Sequence, residues 1–244
     1  MRRRVAGERM HDPIVDDAGE HPEVLVTDAD LGVREPPPGA RRQLASWIYR
    51  PRATVSGGPG GDSLASGESR GRWISNIMAD LPALLGGFAR ATELEVSARS
   101  KGEGALVLEA DEPGMLEQAR DFIRQNDDVV EVCVTLTLVC AGLDLRPIEI
   151  DHGALLWIDI DLDENGRLDP ATDDPIRLRL QLNTDIYAPL SWGDVRDNTA
   201  LATLNADRLA GALERIERAI PAELIEIDAP DYPGLVDARG FRGP

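Results

Sequence analysis

The chain has 244 residues, 42% hydrophobic and 29% charged, which is enough apolar mass for a packed core and too much for a wholly disordered protein. Forty-four acidic side chains against 26 basic ones give a formal net charge of -18, which disfavours phosphate backbones and favours basic proteins or metal cations as partners. No apolar run is long enough to span a bilayer, so neither nucleic acid nor membrane is the expected partner.

The charge is uneven. In residues 1–72 eleven arginines balance eleven acids, so the whole imbalance falls on 73–244. The first stretch is rich in Pro, Gly, Asp and Arg, with Pro36 to Pro38 in tandem and GGPGGDSLASGESRG behind them. It has little apolar surface to offset the entropy of ordering, so 1–72 is expected to be a disordered or loosely docked amino-terminal arm. Its two apolar stretches, Val24 to Val26 and Leu44 to Tyr49, are expected to dock as a strand and a helical turn. Arg2 to Arg4 open like a targeting signal, but no apolar run follows, and Met10 offers a second start; a cytoplasmic protein is expected.

From Trp73 the apolar positions 74, 77, 78, 81, 84, 85 and 88 recur at helical spacing, with Pro82 bending or restarting the helix. Leu94, Val96 and Ala98 then alternate with polar residues, and Ala105 to Ala110 does the same after the turn Lys101 to Gly104, which predicts a hairpin. Asp111 is the expected cap of a helix through Gln125, with Met115, Leu116, Ala119, Phe122 and Ile123 inward. Val130 to Cys140 is the clearest strand. Cys133 and Cys140 lie on its opposite faces, roughly 23 Å apart, too far to bridge, and are read as reduced structural thiols.

Leu155 to Asp163 and Ile176 to Asn183 both alternate and are expected to pair antiparallel. The register that sets Ile160 opposite Leu178 also sets Asp161 opposite Arg177 and Asp159 opposite Arg179. Asn198 or Asn205 is expected to cap a last helix ending near Ile220, followed by a short strand Leu224 to Ile227 and a flexible tail, 229–244. The expected fold is therefore α+β: a mainly antiparallel sheet of about five or six strands, helices packed on one face, spanning 73–228.

Three stretches are candidates for chemistry. In DLDENGRLD, Asp161 to Asp169, oxygen side chains stand at alternate positions around a glycine at the sixth place. The run resembles the calcium loops of EF-hands and of β-propeller repeats. The resemblance implies Asp161, Asp163, Asn165 and Asp169 as ligands of Ca2+, with Gly166 at the turn, the Arg167 carbonyl as a further oxygen and Leu168 inward. It departs at the twelfth place, where Thr172 replaces the bidentate glutamate and leaves Asp173 or Asp174 as substitutes. The competing expectation is a plain hairpin with an Asn165-Gly166 turn.

The second candidate, Gly67 to Gly71, matches the G-x-S-x-G string of a nucleophile elbow but lacks the strand that should precede it. His152 is the only histidine outside the arm and reads as a turn residue between Asp151 and Gly153. The third is the cluster Asp185, Tyr187, Trp192, Asp194, Arg196 and Asp197, between a strand end and a helix start. Tyr187, Trp192, Asp194 and Arg196 suit a protein-binding surface, while Asp185, Asp194 and Asp197, with His152, are the groups a carboxylate-based hydrolase would use.

The leading expectation is a non-catalytic acidic binding module of inhibitor, immunity or adaptor type, acting on a basic protein. The alternatives are a hydrolase with its site near 185–197 and a calcium-binding module built on loop 161–174.

Overall fold

A computed structural model describes residues 43–52, 64–110, 112–191 and 196–242. The chain order is β1 (Ala45–Pro51), α1 (Gly67–Leu85), β2 (Ala89–Ala98), β3 (Gly102–Glu109), α2 (Met115–Gln125), β4 (Val129–Ala141), β5 (Pro147–Ile160), β6 (Ile176–Leu182), α3 (Thr199–Ala219), β7 (Ala222–Asp228), β8 (Val236–Asp237) and β9 (Gly240–Phe241). Seven strands form one sheet in the order β3-β2-β4-β5-β6-β1-β7, and every neighbouring pair is antiparallel. The α+β class with an antiparallel sheet is as the sequence indicates, with one strand more than expected.

The core lies between one face of the sheet and the helices. Val132, Val134, Leu136, Leu138 and Cys140 of β4 meet Ile74, Met78, Leu81 and Leu85 of α1, Ala119 and Ile123 of α2, and Leu209, Leu213 and Ile216 of α3 in one buried cluster. Helix α1 stays continuous across Pro82, and its first turns press on the end of α2. A Cβ at Gly67 would lie 2.4 Å from the Asp127 carbonyl oxygen, and one at Gly71 would lie 3.2 Å from that of Ile123. The two glycines, four residues apart, let the backbones approach.

Two boundaries differ from the expectation. Residues 45–51 are not a helical turn on an arm but strand β1, inserted between β6 and β7, with Trp47 opposite Leu180 and Ile227. Trp47 is fully buried, so the fold begins well before Trp73. The signal was present in the apolar residues Ala45, Trp47 and Tyr49 at every second position, but the Pro- and Gly-rich neighbours on both sides obscured it. Val24 to Val26 lie outside the described residues.

The carboxyl-terminal residues are also docked. The Trp47 indole donates to the Asp237 carbonyl at 2.7 Å, the Tyr232 hydroxyl donates to the Leu190 carbonyl at 3.1 Å, and the Tyr232 and Phe241 rings stack edge to face. The expected flexible tail is, from 229 to 242, a hairpin closed onto the sheet and α3.

Between β5 and β6 the register is two residues from the expected one: Ile158, not Ile160, faces Leu178. The ion pairs form all the same, Arg177 to Asp161 and Arg179 to Asp159, each at 3.1 Å, because a long guanidinium reaches its diagonal neighbour. A shift of two keeps every side chain on its face, so the hydrophobic pattern tolerates either register.

Candidate functional site

Strand β5 is interrupted where the sequence reads as a turn. Leu136 pairs with Ala154 and Leu138 with Ile150, so Thr137 alone faces Asp151, His152 and Gly153. His152 is in the left-handed region at φ 53, and a Cβ at Gly153 would lie 2.7 Å from Leu138 Cδ1. The strand can bulge here only because residue 153 has no side chain. Asn183 fixes the bulge: its side chain donates to the His152 carbonyl at 3.0 Å and its backbone N–H to that of Gly153 at 2.9 Å. His152 is thus a bulge residue inside a strand. Its imidazole stands exposed.

The bulge turns Asp151 toward β2 and β3. There a hollow of about 410 Å³ is lined by Thr92, Glu93, Glu109, Thr137, Asp151 and His152. Thr137 donates its hydroxyl to Asp151 Oδ1 at 3.0 Å, which aims that carboxylate. Glu93 and Glu109 are direct cross-strand partners, so two like charges stand opposite each other, an arrangement that destabilises a sheet. None of Glu93, Glu109 and Asp151 has a basic partner among the described residues; the nearby Arg90 is held by Glu149 at 2.6 Å.

A second like-charge pair lies further along the same face, where Glu131 is opposite Asp159. Burial, and then the charges of Asp159, Glu95 and Glu103, push the Glu131 carboxyl above its ordinary pKa, with Arg179 acting weakly the other way.

The loop 161–169 uses its oxygens differently. Asp163 Oδ1 accepts from the backbone N–H of Asn165 at 2.8 Å and of Arg167 at 2.9 Å, and these bonds, that of Arg167 first, hold its carboxyl below the usual range. The Asp163 carbonyl accepts from Arg99. Asp161 is paired with Arg177, and Asp169 Oδ1 caps the Ala171 N–H at 2.9 Å. Gly166 takes the turn at φ 74 and Leu168 bridges back to Leu162, as expected for the glycine and the inward leucine. Among the described residues no three or more acidic, histidine or cysteine side chains are grouped to hold a metal ion. The carboxylates here face their own backbone and arginines.

The loop after β6 separates the residues that the sequence groups together. Tyr187 is 1% exposed, stacked near Phe88 and 3.4 Å from Cys140 Sγ, so it is core and not binding surface. Burial raises the pKa of both the phenol and the thiol. Asp185 is buried, and its carbonyl and that of Ala188 accept from the Asn198 side chain at 2.8 and 3.0 Å. Asp197 is exposed, and the Thr199 hydroxyl and then the Thr199 N–H, at 2.9 Å, hold its carboxyl below the usual range; Asn198 is the N-cap residue of α3 but makes no side-chain cap bond. Arg196 is exposed; Trp192 and Asp194 lie outside the described residues. His152 stands at the bulge, and neither Asp185 nor Asp197 lines the hollow beside it.

Asn205 is likewise no cap. It is fully buried in mid-helix, where it accepts from the Ala141 N–H at 2.7 Å and donates to the Ala141 and Leu201 carbonyls at 3.0 and 2.9 Å, closing the free end of β4. The G-x-S-x-G string is the first turn of α1, with Ser69 N–H donating to the cap Ser66 at 3.1 Å, so Ser69 is no elbow nucleophile. Asp111 lies outside the described residues, and α2 opens on Gly114 in the left-handed region.

Sequence reading missed Glu93, Glu109 and Asp151 because they come from three strands and share no motif. Comparison with family models, with curated proteins and with solved structures finds no match to this chain.

Proposed function

We propose that the protein is a non-catalytic acidic binding module that engages a basic protein partner, with arginine or lysine side chains of that partner entering the hollow between β2, β3 and the β5 bulge. The observation that carries the reading is the pairing of Glu93 with Glu109 beside Asp151, with no cation among the described residues to compensate it. Like charges set directly opposite cost stability, and a guanidinium or ammonium group from outside offsets that cost while gaining charge-assisted hydrogen bonds. Glu95 and Glu131 on the same face extend the potential that would steer such a partner. No helix among the described residues is long and apolar enough to cross a membrane.

The test uses the full chain and an oligoarginine peptide followed by calorimetry. Glu93→Gln, Glu109→Gln and Asp151→Asn combined should weaken binding by about tenfold or more, the scale of one or two lost charge-assisted contacts, and high salt should do the same to the parent protein. The variant should also melt higher than the parent, because the like-charge opposition is gone. Unchanged affinity in the variant removes the hollow as the binding site, and a lower melting temperature removes the argument from opposed charges.

A further inference from the structure

The sheet has an edge beside the acidic hollow. Strand β3 pairs with β2 on one side and with no strand among the described residues on the other. Ala110, just past the end of β3, donates its backbone N–H to the Thr92 carbonyl of β2, and in an antiparallel ladder the backbone groups of successive residues point in turn to either side. The N–H and C=O groups of Ala105 and Val107 therefore point outward, and no strand, turn or loop among the described residues takes them. The Glu109 N–H points the same way and is met by Glu112 Oε1 at 3.4 Å, which closes that end of the edge. An open edge of this kind is a template for one more strand. Its side chains select which strand. Val107 is 50% exposed and is the one exposed large hydrophobic in any strand among the described residues. It shares a face with Glu109, two residues on, which lines the hollow with Glu93 and Asp151. A second copy of β3 is a poor occupant, because laying it antiparallel with Val107 against Ala105 sets Glu109 against Glu103, like charge against like. Carboxylates that keep copies of the edge apart attract a cationic strand.

We propose that the basic partner presents an extended segment that adds to the edge of β3 as a further antiparallel strand, with an apolar residue opposite Val107 and an arginine or lysine two positions away, opposite Glu109 and beside the hollow. Antiparallel addition continues the pattern of the sheet, in which every neighbouring pair is antiparallel. Resting on the basic partner proposed above, strand addition fixes that partner's backbone as well as its charge: main-chain bonds to Ala105 and Val107 hold the segment, and its alternate side chains decide whether it fits. A cation two residues from an apolar side chain shares its face in a strand, and only in that conformation does the pair match Glu109 and Val107 together.

The full chain is titrated in a calorimeter with a capped peptide in which Arg, Val and Arg alternate with Thr, and with a permutation of it that sets Arg and Val side by side. The alternating peptide should bind about tenfold or more tightly than the permutation, the scale of one or two hydrogen bonds. Methylating the amide of its Val, whose N–H faces the edge, should remove that advantage, whereas methylating a neighbouring Thr amide, whose N–H faces away, should leave it. Val107→Pro should act like the methylated Val, because proline on an edge strand removes an outward N–H and leaves the ladder to β2 in place. If that variant does not fold, the two methylated peptides decide alone. Equal losses from the two methylations would overturn strand addition. So would equal affinity of the alternating and permuted peptides, and if both are then lost in the combined Glu93→Gln, Glu109→Gln and Asp151→Asn variant, the hollow stands as a site for cations without the strand. A preference for the alternating peptide that survives those three substitutions, yet falls on methylation of its Val, would keep the strand and overturn the hollow. Binding of neither peptide would overturn both.

Discussion

Two acidic stretches flank the inner half of β5, and they spend their charge in opposite ways. In the loop from Asp161 to Asp169 every aspartate has a local partner: Asp161 has Arg177, Asp163 has two backbone N–H groups and Asp169 has one. At the bulge, Asp151 has one threonine, and the carboxylates that join it from β2 and β3 have no cation among the described residues. Acids adjacent in sequence satisfy themselves, because a short turn brings side chains back onto its own backbone. The acids that strand pairing brings together at the bulge have no such outlet among the described residues.

The comparison is broken most severely by detaching the quiet loop from the body of the fold. Arg70, 2% exposed, donates to the carbonyls of Ala65 at 2.9 Å, Asp127 at 3.3 Å and Gly166 at 3.2 Å, and so ties the tip of the 161–169 loop to the start of α1 and the end of α2. Desolvation lowers its pKa, with Asp127 opposing, as expected of a charge held among carbonyls. Arg70→Ala should cost about 1.5 to 3 kcal/mol in urea unfolding, the scale of lost bonds to a charged group with acceptors left behind. Arg70→Lys should recover little, since one ammonium cannot reach three carbonyls in that fork. A loss under 0.5 kcal/mol, the scale of an ordinary surface change, would mean that the loop does not depend on this anchor.

Gly153 tests the other side. Gly153→Ala forces a Cβ against Leu138 and the Ile150 carbonyl, and overpacking of this kind costs about 1 to 3 kcal/mol. It should also move Asp151 away from the hollow and weaken oligoarginine binding beyond what the loss of stability explains. Normal binding in a destabilised Gly153→Ala protein would show that the bulge shapes the strand but not the site.

The same contrast explains what was legible in the sequence. Helices and strands of strong period, α1, α3, β4 and the β5–β6 hairpin, were readable because burial on one face imposes a repeat on consecutive residues. Strand β1 was not, since its seven residues stand alone between Pro- and Gly-rich stretches and pair with strands more than 120 residues away. The tail was misjudged for the same reason: Trp47 and Asp237 are 190 positions apart. The 161–169 run attracted attention as a compact motif, whereas Glu93, Glu109 and Asp151 become neighbours only through the β2–β3 pairing and the β5 bulge. Tyr187, read as surface, packs in the core against Phe88 and Cys140, and Asn205, read as a cap, is buried in mid-helix where the Ala141 backbone needs partners.

The smallest expected effect sharpens the comparison at a single carboxylate. If Asp163 is committed to the loop backbone, Asp163→Ala should leave the global fold intact while the amides of Asn165 and Arg167 exchange with solvent faster, as hydrogen exchange resolved by NMR would show. Asp163→Asn should restore much of their protection, since its amide oxygen can still accept. The pH dependence has a definite sign. A carboxyl whose folded pKa is depressed contributes order above its ordinary pKa and loses it as pH falls through the depressed value. The protection of the two amides should therefore persist across the neutral range and decline only below the usual carboxylate range. Millimolar calcium should change neither their exchange nor the melting temperature of the parent, because a ligand stabilises only a state that offers it a site. Calcium-dependent protection in the parent that vanishes in Asp163→Ala would reverse the comparison, making the loop the stretch whose charge is available and leaving the bulge as ordinary strand irregularity.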